Sequence, residues 1–408
     1  MLPFPLPSSP MFYKIAAVGS FFFLLLLLSL LNRDITSFRT VTTHKKLSSL
    51  LDDVRNSSLG FEKIFVVNLP SRTDHRDALL VTGAATHIEF DWVDGVLGAD
   101  VPDKAITPPM NREQLGAGNI GSWRAHLNAL TEVVRQNLST ALILEDDVDW
   151  DIRLKSQLHD YALSSQALLQ PLLEDPSSYA DPTYPSPNGA VTMPPDMHFG
   201  SLPPVSPPSS SPYGDGWSVL WLGHCGTIFP SCKVEASAER SKNQPKGRVV
   251  HLDDDTVPES HYFENFTDLW GWQQDDPRAA YPPHTRIAHH SMGTVCTLGY
   301  AVTQESARRI LYEFGVKAFN APFDIMMRDL CEGTSNRPYH TCLTVQPQLF
   351  NHHRPAGNKK YESDINDHGG AENTHAYTEI IRWSARLNLD RLLYGATEFE
   401  DQYPDQER

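Results

Sequence analysis

Lys63-Ile64-Phe65-Val66-Val67-Asn68-Leu69 is a nearly unbroken apolar and β-branched run, the pattern of a strand buried on both faces. Pro70 stops it, and Ser71 or Thr73 offers a cap for a short helix containing Asp74 to Thr82. Ile88–Val93 has the composition of a second strand. Ile120, Trp123, Leu127, Leu130 and Val134 recur at helical spacing and predict one apolar face of a helix that starts after Gly118–Ser122. Ala141–Leu144 is again fully apolar. Strand, helix, strand, helix, strand predicts an α/β fold, a mostly parallel sheet covered by helices on both faces. Farther along, Trp217–Leu222 and Cys296–Thr303 read as strands. Gln304–Phe314 reads as a helix closed by Gly315, and Pro322 opens another over Phe323–Leu330. Leu343-Thr344-Val345 and Leu349-Phe350 are strand-like on either side of Pro347.

The pattern fails in three places. Residues 170–216 are rich in Pro and Ser and predict a disordered insertion, because such composition cannot bury a core of its own. Lys233–Pro283 reads as a second loose region. At the N-terminus, Ile15–Leu31 carries no charge; at 1.5 Å per residue it reaches roughly 25 Å, enough for a thin bilayer. No small-x-small cleavage site follows, so a transmembrane signal-anchor is expected rather than a cleaved signal peptide. The expected organisation is a cytosolic tail (1–14), the span (15–31), a stem (32–60), one folded domain (61–395) and a C-terminal tail (396–408). Arg33, Arg39, Lys45 and Lys46 follow the span and lean against a lumenal C-terminus. The sequons at Asn56, Asn137 and Asn265 lean toward it, as does the length of the domain. The reading is a single-pass type II protein of the Golgi or endoplasmic reticulum with a lumenal domain.

Charge narrows the partners. The formal charge of -16 argues against nucleic acid, which needs a basic stripe. It leaves room for a nucleotide, which needs one or two cations and a metal. Five cysteines without a C-x-x-C pair make a zinc ribbon a poor fit. Cys331 and Cys342 are close in sequence and form the expected disulfide in a lumen.

The chemistry concentrates at Glu145-Asp146-Asp147-Val148-Asp149-Trp150-Asp151, which follows the apolar strand directly. Clustered carboxylates at a strand end repel one another and lose solvation, and a hard divalent cation such as Mn2+ or Mg2+ relieves both costs. Ligands of open α/β sheets sit at this end of the strands. Asp147 is the first candidate ligand and Glu145 the second; Asp146 suits a ribose or sugar contact. Asp149 and Asp151 read as solvated. Asn68, Arg72 and Arg76, at and after the end of the first strand, suit a base or ribose and a diphosphate, though Arg76 also fits a surface helix charge. Gly118 and Gly121 suit either a helix N-terminal anion site or a tight turn. His126 lies near an apolar stripe, as a core histidine or a site residue. Asp324, at a helix start, is either a charge on the helix dipole or a general base. His352 and His353 follow a strand and offer a late metal or phosphate ligand or a surface loop.

Taken together, the ordered motifs resemble glycosyltransferase family 25, the group that includes lipopolysaccharide glycosyltransferases and collagen galactosyltransferases. The resemblance is carried by Lys63–Arg76, Gly118–His126, Ala141–Val148, Gly299–Val302, Pro322-Phe323-Asp324 and Ser363-Asp364-Ile365. It implies a GT-A-like fold, a nucleotide-sugar donor, a glycan or glycoprotein acceptor, and an inverting transfer in which Glu145-Asp146-Asp147 is the acidic metal motif. It raises the functional reading of His126 and makes Asp364 the alternate catalytic carboxylate. The chain departs from the family pattern at Ser122, where Cys is common, and at Ala125, where Ser is common. Two other classes remain: a catalytically inactive relative acting as an adaptor, and a metal-dependent hydrolase, for which Asp253-Asp254-Asp255 is the only comparable cluster.

Overall fold

The computed structural model describes residues 50–187, 192–231, 244–263, 280–365 and 372–406. The expected span at 15–31, Cys232 and the Asn265 sequon lie outside them. Among the described residues no helix is long and apolar enough to cross a membrane.

The strands are β1 (Lys63–Asn68), β2 (Asp91–Asp94), β3 (Thr140–Glu145), β4 (Val148–Trp150), β5 (Met197–His198), β6 (Val219–Gly223), β7 (Arg248–His251), β8 (Arg286–His290), β9 (Gly299–Thr303), β10 (Cys342–Gln346) and β11 (Phe350–Arg354). The main sheet runs in the order β2-β1-β3-β9-β6-β10-β8-β7-β5. Seven of these nine strands point the same way, and β9 and β8 run against them. The mostly parallel α/β sheet expected from the pattern is therefore present.

The main helices are α1 (Thr73–Thr86), α2 (Ala117–Arg135), α3 (Leu154–Leu169), α4 (Gln304–Ile310) and α5 (Phe323–Glu332). Alternation along the central strands divides the core. Ile64, Val66, Leu142, Leu144, Leu220 and Leu222 join the cluster containing Leu158 and Leu168 of α3. Phe65, Ala141, Ile143 and Trp221 face the other way, toward Trp123 and Leu127 of α2 and Met326 of α5. Helices thus cover both faces, and continuous apolar strands are the consequence.

Several local expectations change. Neither Ser71 nor Thr73 caps α1; Arg72 occupies the N-cap without a side-chain cap. Helix α2 begins at Ala117, so Gly118 and Gly121 lie inside its first turns. Gly315 lies within a π-helical turn, Leu311–Lys317, rather than ending a helix.

The Pro/Ser-rich stretch is not disordered where it is described. Tyr213 is fully buried, stacks on Phe61 with ring centroids 4.8 Å apart and donates its hydroxyl to Leu59 O at 2.6 Å. Gln166 of α3 donates to Pro212 O at 2.7 Å. The segment has no core of its own because it uses one that already exists. Residues 50–60, assigned to the stem, supply part of that core through buried Val54 and Leu59. The C-terminal residues are also seated: Glu400 N donates to Asn388 Oδ1 at 2.6 Å, and Arg382 pairs with Asp401 at 2.5 Å.

Candidate active site

Strands β1 and β3 are parallel neighbours, with Val67 in register with Glu145. Their carboxyl ends therefore bring Asn68 and the acidic turn together, and Asn68 Nδ2 donates to Asp146 Oδ2 at 2.7 Å. The turn Asp146-Asp147 leads into β4, which pairs antiparallel with β11 so that Val148 faces His352. His353 N donates to Asp147 O at 2.8 Å and fixes that register. Strand β9 runs against β3, so its approach segment arrives at the same end, where Glu145 N donates to Leu298 O at 3.0 Å.

This topology gathers Glu145, Asp147 and His352, with one donor atom of each inside 4.8 Å of the others. His352 Nε2 lies 3.6 Å from Asp147 Oδ2, beyond a hydrogen bond. Asp147 Oδ1 is buried and has no hydrogen-bond partner. A buried, unpartnered carboxylate oxygen beside a second carboxylate and an imidazole fits a divalent ion such as Mn2+, whose ligand chemistry spans oxygen and imidazole.

Behind Glu145 runs a buried relay. Thr297 Oγ1 donates to Glu145 Oε1 at 2.8 Å. The ring of His126 lies between Thr297 Oγ1 (3.2 Å) and the Tyr300 hydroxyl (3.1 Å) and stacks on Phe323 at 4.6 Å between centroids. The network assigns Nε2–H of His126 to Thr297 and its Nδ1 as acceptor from Tyr300. His126 is thus both a buried core residue and an outer support of Glu145, its Nε2 lying 3.4 Å from Glu145 Oε1. Burial and the Glu145 charge push the Tyr300 hydroxyl well above its ordinary pKa, which keeps it a donor.

Asp146 is held by Asn68, by His75 Nδ1–H at 3.0 Å, and through its carbonyl by Arg386 Nη2 at 2.8 Å. Asn68 Oδ1 remains buried without a partner beside it. Desolvation lowers the pKa of Arg386, opposed by the charges of Asp149, Asp147 and Asp146. Burial, with Arg386 second, pushes His353 down to about 4, against the pull of Asp149 and Asp147. His353 is therefore neutral at pH 7, and the turn keeps an excess of negative charge.

Other expected site residues divide. Arg72 pairs with Asp74 at 2.9 Å and Asp364 at 2.6 Å and touches His75, so both Arg72 and Asp364 border the Asp146 side of the turn. Its pKa is raised, first by Asp74. Arg76 points elsewhere, with its guanidinium 4.8 Å from the Trp92 ring centre. Gly118 and Gly121 serve packing: a Cβ on Gly121 would sit 2.5 Å from Val96 O, and one on Gly118 3.0 Å from the Ile365 backbone. Asp324 accepts from Cys296 N at 2.9 Å and Ile325 N at 2.8 Å. It adjoins the relay because Cys296 precedes Thr297.

Asp149 and Asp151 are not solvated; both side chains are fully buried. Asp149 accepts from Trp150 N, Thr378 Oγ1, Ser384 Oγ and Arg386 N. Asp151 accepts from Arg153 and from Trp383 N. These carboxylates attach the C-terminal segment to the back of the site. His75, Thr297 and Arg386 were missed as site residues. His75 stands inside the Lys63–Arg76 motif and was legible there; Thr297 and Arg386 have no local signal. The Cys331–Cys342 disulfide is present, and a second, Cys225–Cys296, clamps the segment that carries Thr297.

Residues 61–181 match the family model described as "Glycosyltransferase family 25 (LPS biosynthesis protein)". Both strand ends of the acidic turn, with Asn68, Glu145 and Asp147, fall inside this stretch.

Over residues 61–181 the chain resembles glycosyltransferase family 25.

Among curated family 25 proteins, the chain is 28% identical over 121 residues to procollagen galactosyltransferase 1-B of Xenopus laevis, covering 26% of this chain and 20% of that protein. It is 30% identical over 111 residues to human procollagen galactosyltransferase 2, covering 24% and 18%. It is 29% identical over 115 residues to human inactive glycosyltransferase 25 family member 3, covering 26% and 19%. The matched stretch spans about a fifth of the length of these relatives.

Proposed function

We propose that this chain is a metal-assisted, inverting glycosyltransferase. It would move a hexose from a nucleotide-sugar, a UDP-hexose such as UDP-galactose, to a hydroxyl of a glycan or glycoprotein. The observation that carries the reading is the convergence of Glu145, Asp147 and His352 at the carboxyl end of β3, with an orphaned oxygen on Asp147. These three residues would hold Mn2+ or, less well because His352 brings an imidazole, Mg2+; when bound, the ion supplies charge neutralisation for a departing diphosphate. Asn68 offers its unpartnered Oδ1 to the nucleotide, and Asp146, fixed by Asn68 and His75, offers an anchored acceptor for ribose or sugar hydroxyls. Arg72 exchanges Asp364 for a phosphate when donor binds. Asp324 is the proposed base, its orientation set by two backbone N–H groups, with Asp364 as the alternate.

The test is calorimetric binding of UDP-sugars with Mn2+ and with chelator, followed by turnover. Binding that is equal in chelator removes the metal. Asp324→Asn should lower turnover by on the order of 10^2 or more while donor binding survives; turnover within a few-fold of the parent moves the base to Asp364. A second reading, an inactive lumenal adaptor, has the inactive human relative in its favour. Donor hydrolysis and transfer both absent, with donor binding intact, would select it.

We also propose a type II orientation in the Golgi or endoplasmic reticulum membrane, with 15–31 as anchor and the sheet in the lumen. Two disulfides support an oxidising compartment.

A further inference from the structure

A second group of metal-type donors lies apart from the acidic turn and shares no residue with it. Glu259 follows β7, His284 precedes β8, and Asp405 belongs to the C-terminal segment; one donor atom of each lies within 4.8 Å of the others. We propose that Glu259, His284 and Asp405 form a site for a transition-metal dication of the Zn2+ class.

Three observations carry this. First, the His284 ring is oriented. Its Nδ1–H donates to Val257 O at 2.6 Å, which leaves the Nε2 lone pair on the side of Asp405. That is the arrangement of ligating histidines, whose second nitrogen is fixed by a carbonyl or carboxylate. Second, the spacing fits. Zinc bonds of 2.0–2.1 Å in a tetrahedron put donors about 3.3 Å apart. His284 Nε2 lies 3.5 Å from Asp405 Oδ1. The fourth position falls to water. Third, the charges do not balance. Arg382 is shared between Asp401 at 2.5 Å and Asp405 at 3.1 Å, and among the described residues no lysine or arginine pairs with Glu259. Imidazole in the set selects against Ca2+ and Mg2+. An apolar recess lined by Val257, Phe263, Tyr281, Ile287 and Pro347 adjoins His284.

The ion would fasten the C-terminal segment to the β7 and β8 loops. Two contacts already bring these together: Tyr262 Oη–H to Pro404 O at 2.7 Å and Gln406 N to Glu259 at 3.3 Å.

The experiment is a Zn2+ titration of the full chain in detergent by calorimetry, in an Asp147→Asn background that disables the acidic turn. One equivalent of Zn2+ should still bind and should raise Tm. His284→Asn suits the left-handed backbone at this position (φ 60°) and should weaken binding by more than about 100-fold, beyond the range for outer partners. Asp405→Asn, at an exposed carboxylate, should weaken it without affecting the fold of the metal-free protein. Loss of all Zn2+ binding in Asp147→Asn alone, or unchanged affinity in both further variants, would overturn the proposal. The first result would place the ion at the acidic turn; the second leaves that turn untouched, and it is tested separately with donor and Mn2+.

Discussion

Asp147 and Asp149 are two residues apart and have opposite tasks, so a matched pair of substitutions tests the site directly. Asp149 is fully buried and accepts four hydrogen bonds, two from backbone N–H groups and two from the hydroxyls of Thr378 and Ser384. Each bond to a charged acceptor is worth about 1.5–3 kcal/mol, although four together are not additive. Some donors find new partners in the variant, so Asp149→Ala should cost about 4–6 kcal/mol, in the range that marks a broken buried network. Asp149→Asn should cost about 1–3 kcal/mol, because the amide oxygen serves the backbone pair and the hydroxyls can turn to accept. The Asp147 side chain makes no such bonds; its carbonyl carries the link to His353. Asp147→Asn removes a repulsive charge beside Glu145 and should leave stability within about 0.5 kcal/mol. It should abolish metal-dependent donor binding. Urea unfolding followed by tryptophan fluorescence gives the first quantity, and calorimetry with UDP-sugar and Mn2+ the second. Asp149→Ala within about 1 kcal/mol of the parent, or Asp147→Asn as damaging as Asp149→Ala, would refute this division of roles.

Three further outcomes are expected. Thr297→Val removes the bond to Glu145 at nearly constant volume and should weaken Mn2+ binding by about 10–100-fold; an unchanged Mn2+ titration would remove the relay from the site. His224 and His290 are buried and held down at about 4, both first by desolvation. The unfolded chain then binds more protons between the ordinary value near 6.5 and 4, so stability is full above about pH 6.5 and falls as pH drops, each histidine adding up to about 1.4 kcal/mol per pH unit. Urea midpoints that do not fall between pH 7 and pH 5 would contradict this. For topology, endoglycosidase should lower the apparent mass of the expressed protein, and protease added to intact microsomes should spare the domain; unglycosylated, digested protein reverses the orientation.

Much of the site could be read before folding because its parts lie close together in the chain. Glu145 and Asp147 are separated by one residue, and a strand that ends in acids places them whatever surrounds it. The sheet and its covering helices could likewise be read, since burial on one or two faces leaves its period in the residues. His352 was reached from its position beside a strand, but its meeting with Asp147 depends on the β4–β11 pairing.

Only the tertiary structure separated Asp149 and Asp151 from Asp147. All are carboxylates in one acidic run, and the difference comes from Thr378, Ser384, Arg386 and Trp383, more than two hundred residues away in sequence. It also placed Gly118 and Gly121 inside a helix, against the backbone of Ile365 and Val96, and gave the Pro/Ser-rich stretch a core to lie on. The reason is the same each time. Periodicity, breakers and local charge are properties of neighbouring residues and act in the unfolded chain as well. The solvation and partners of a buried carboxylate exist only once distant strands have paired, so no local pattern contains them.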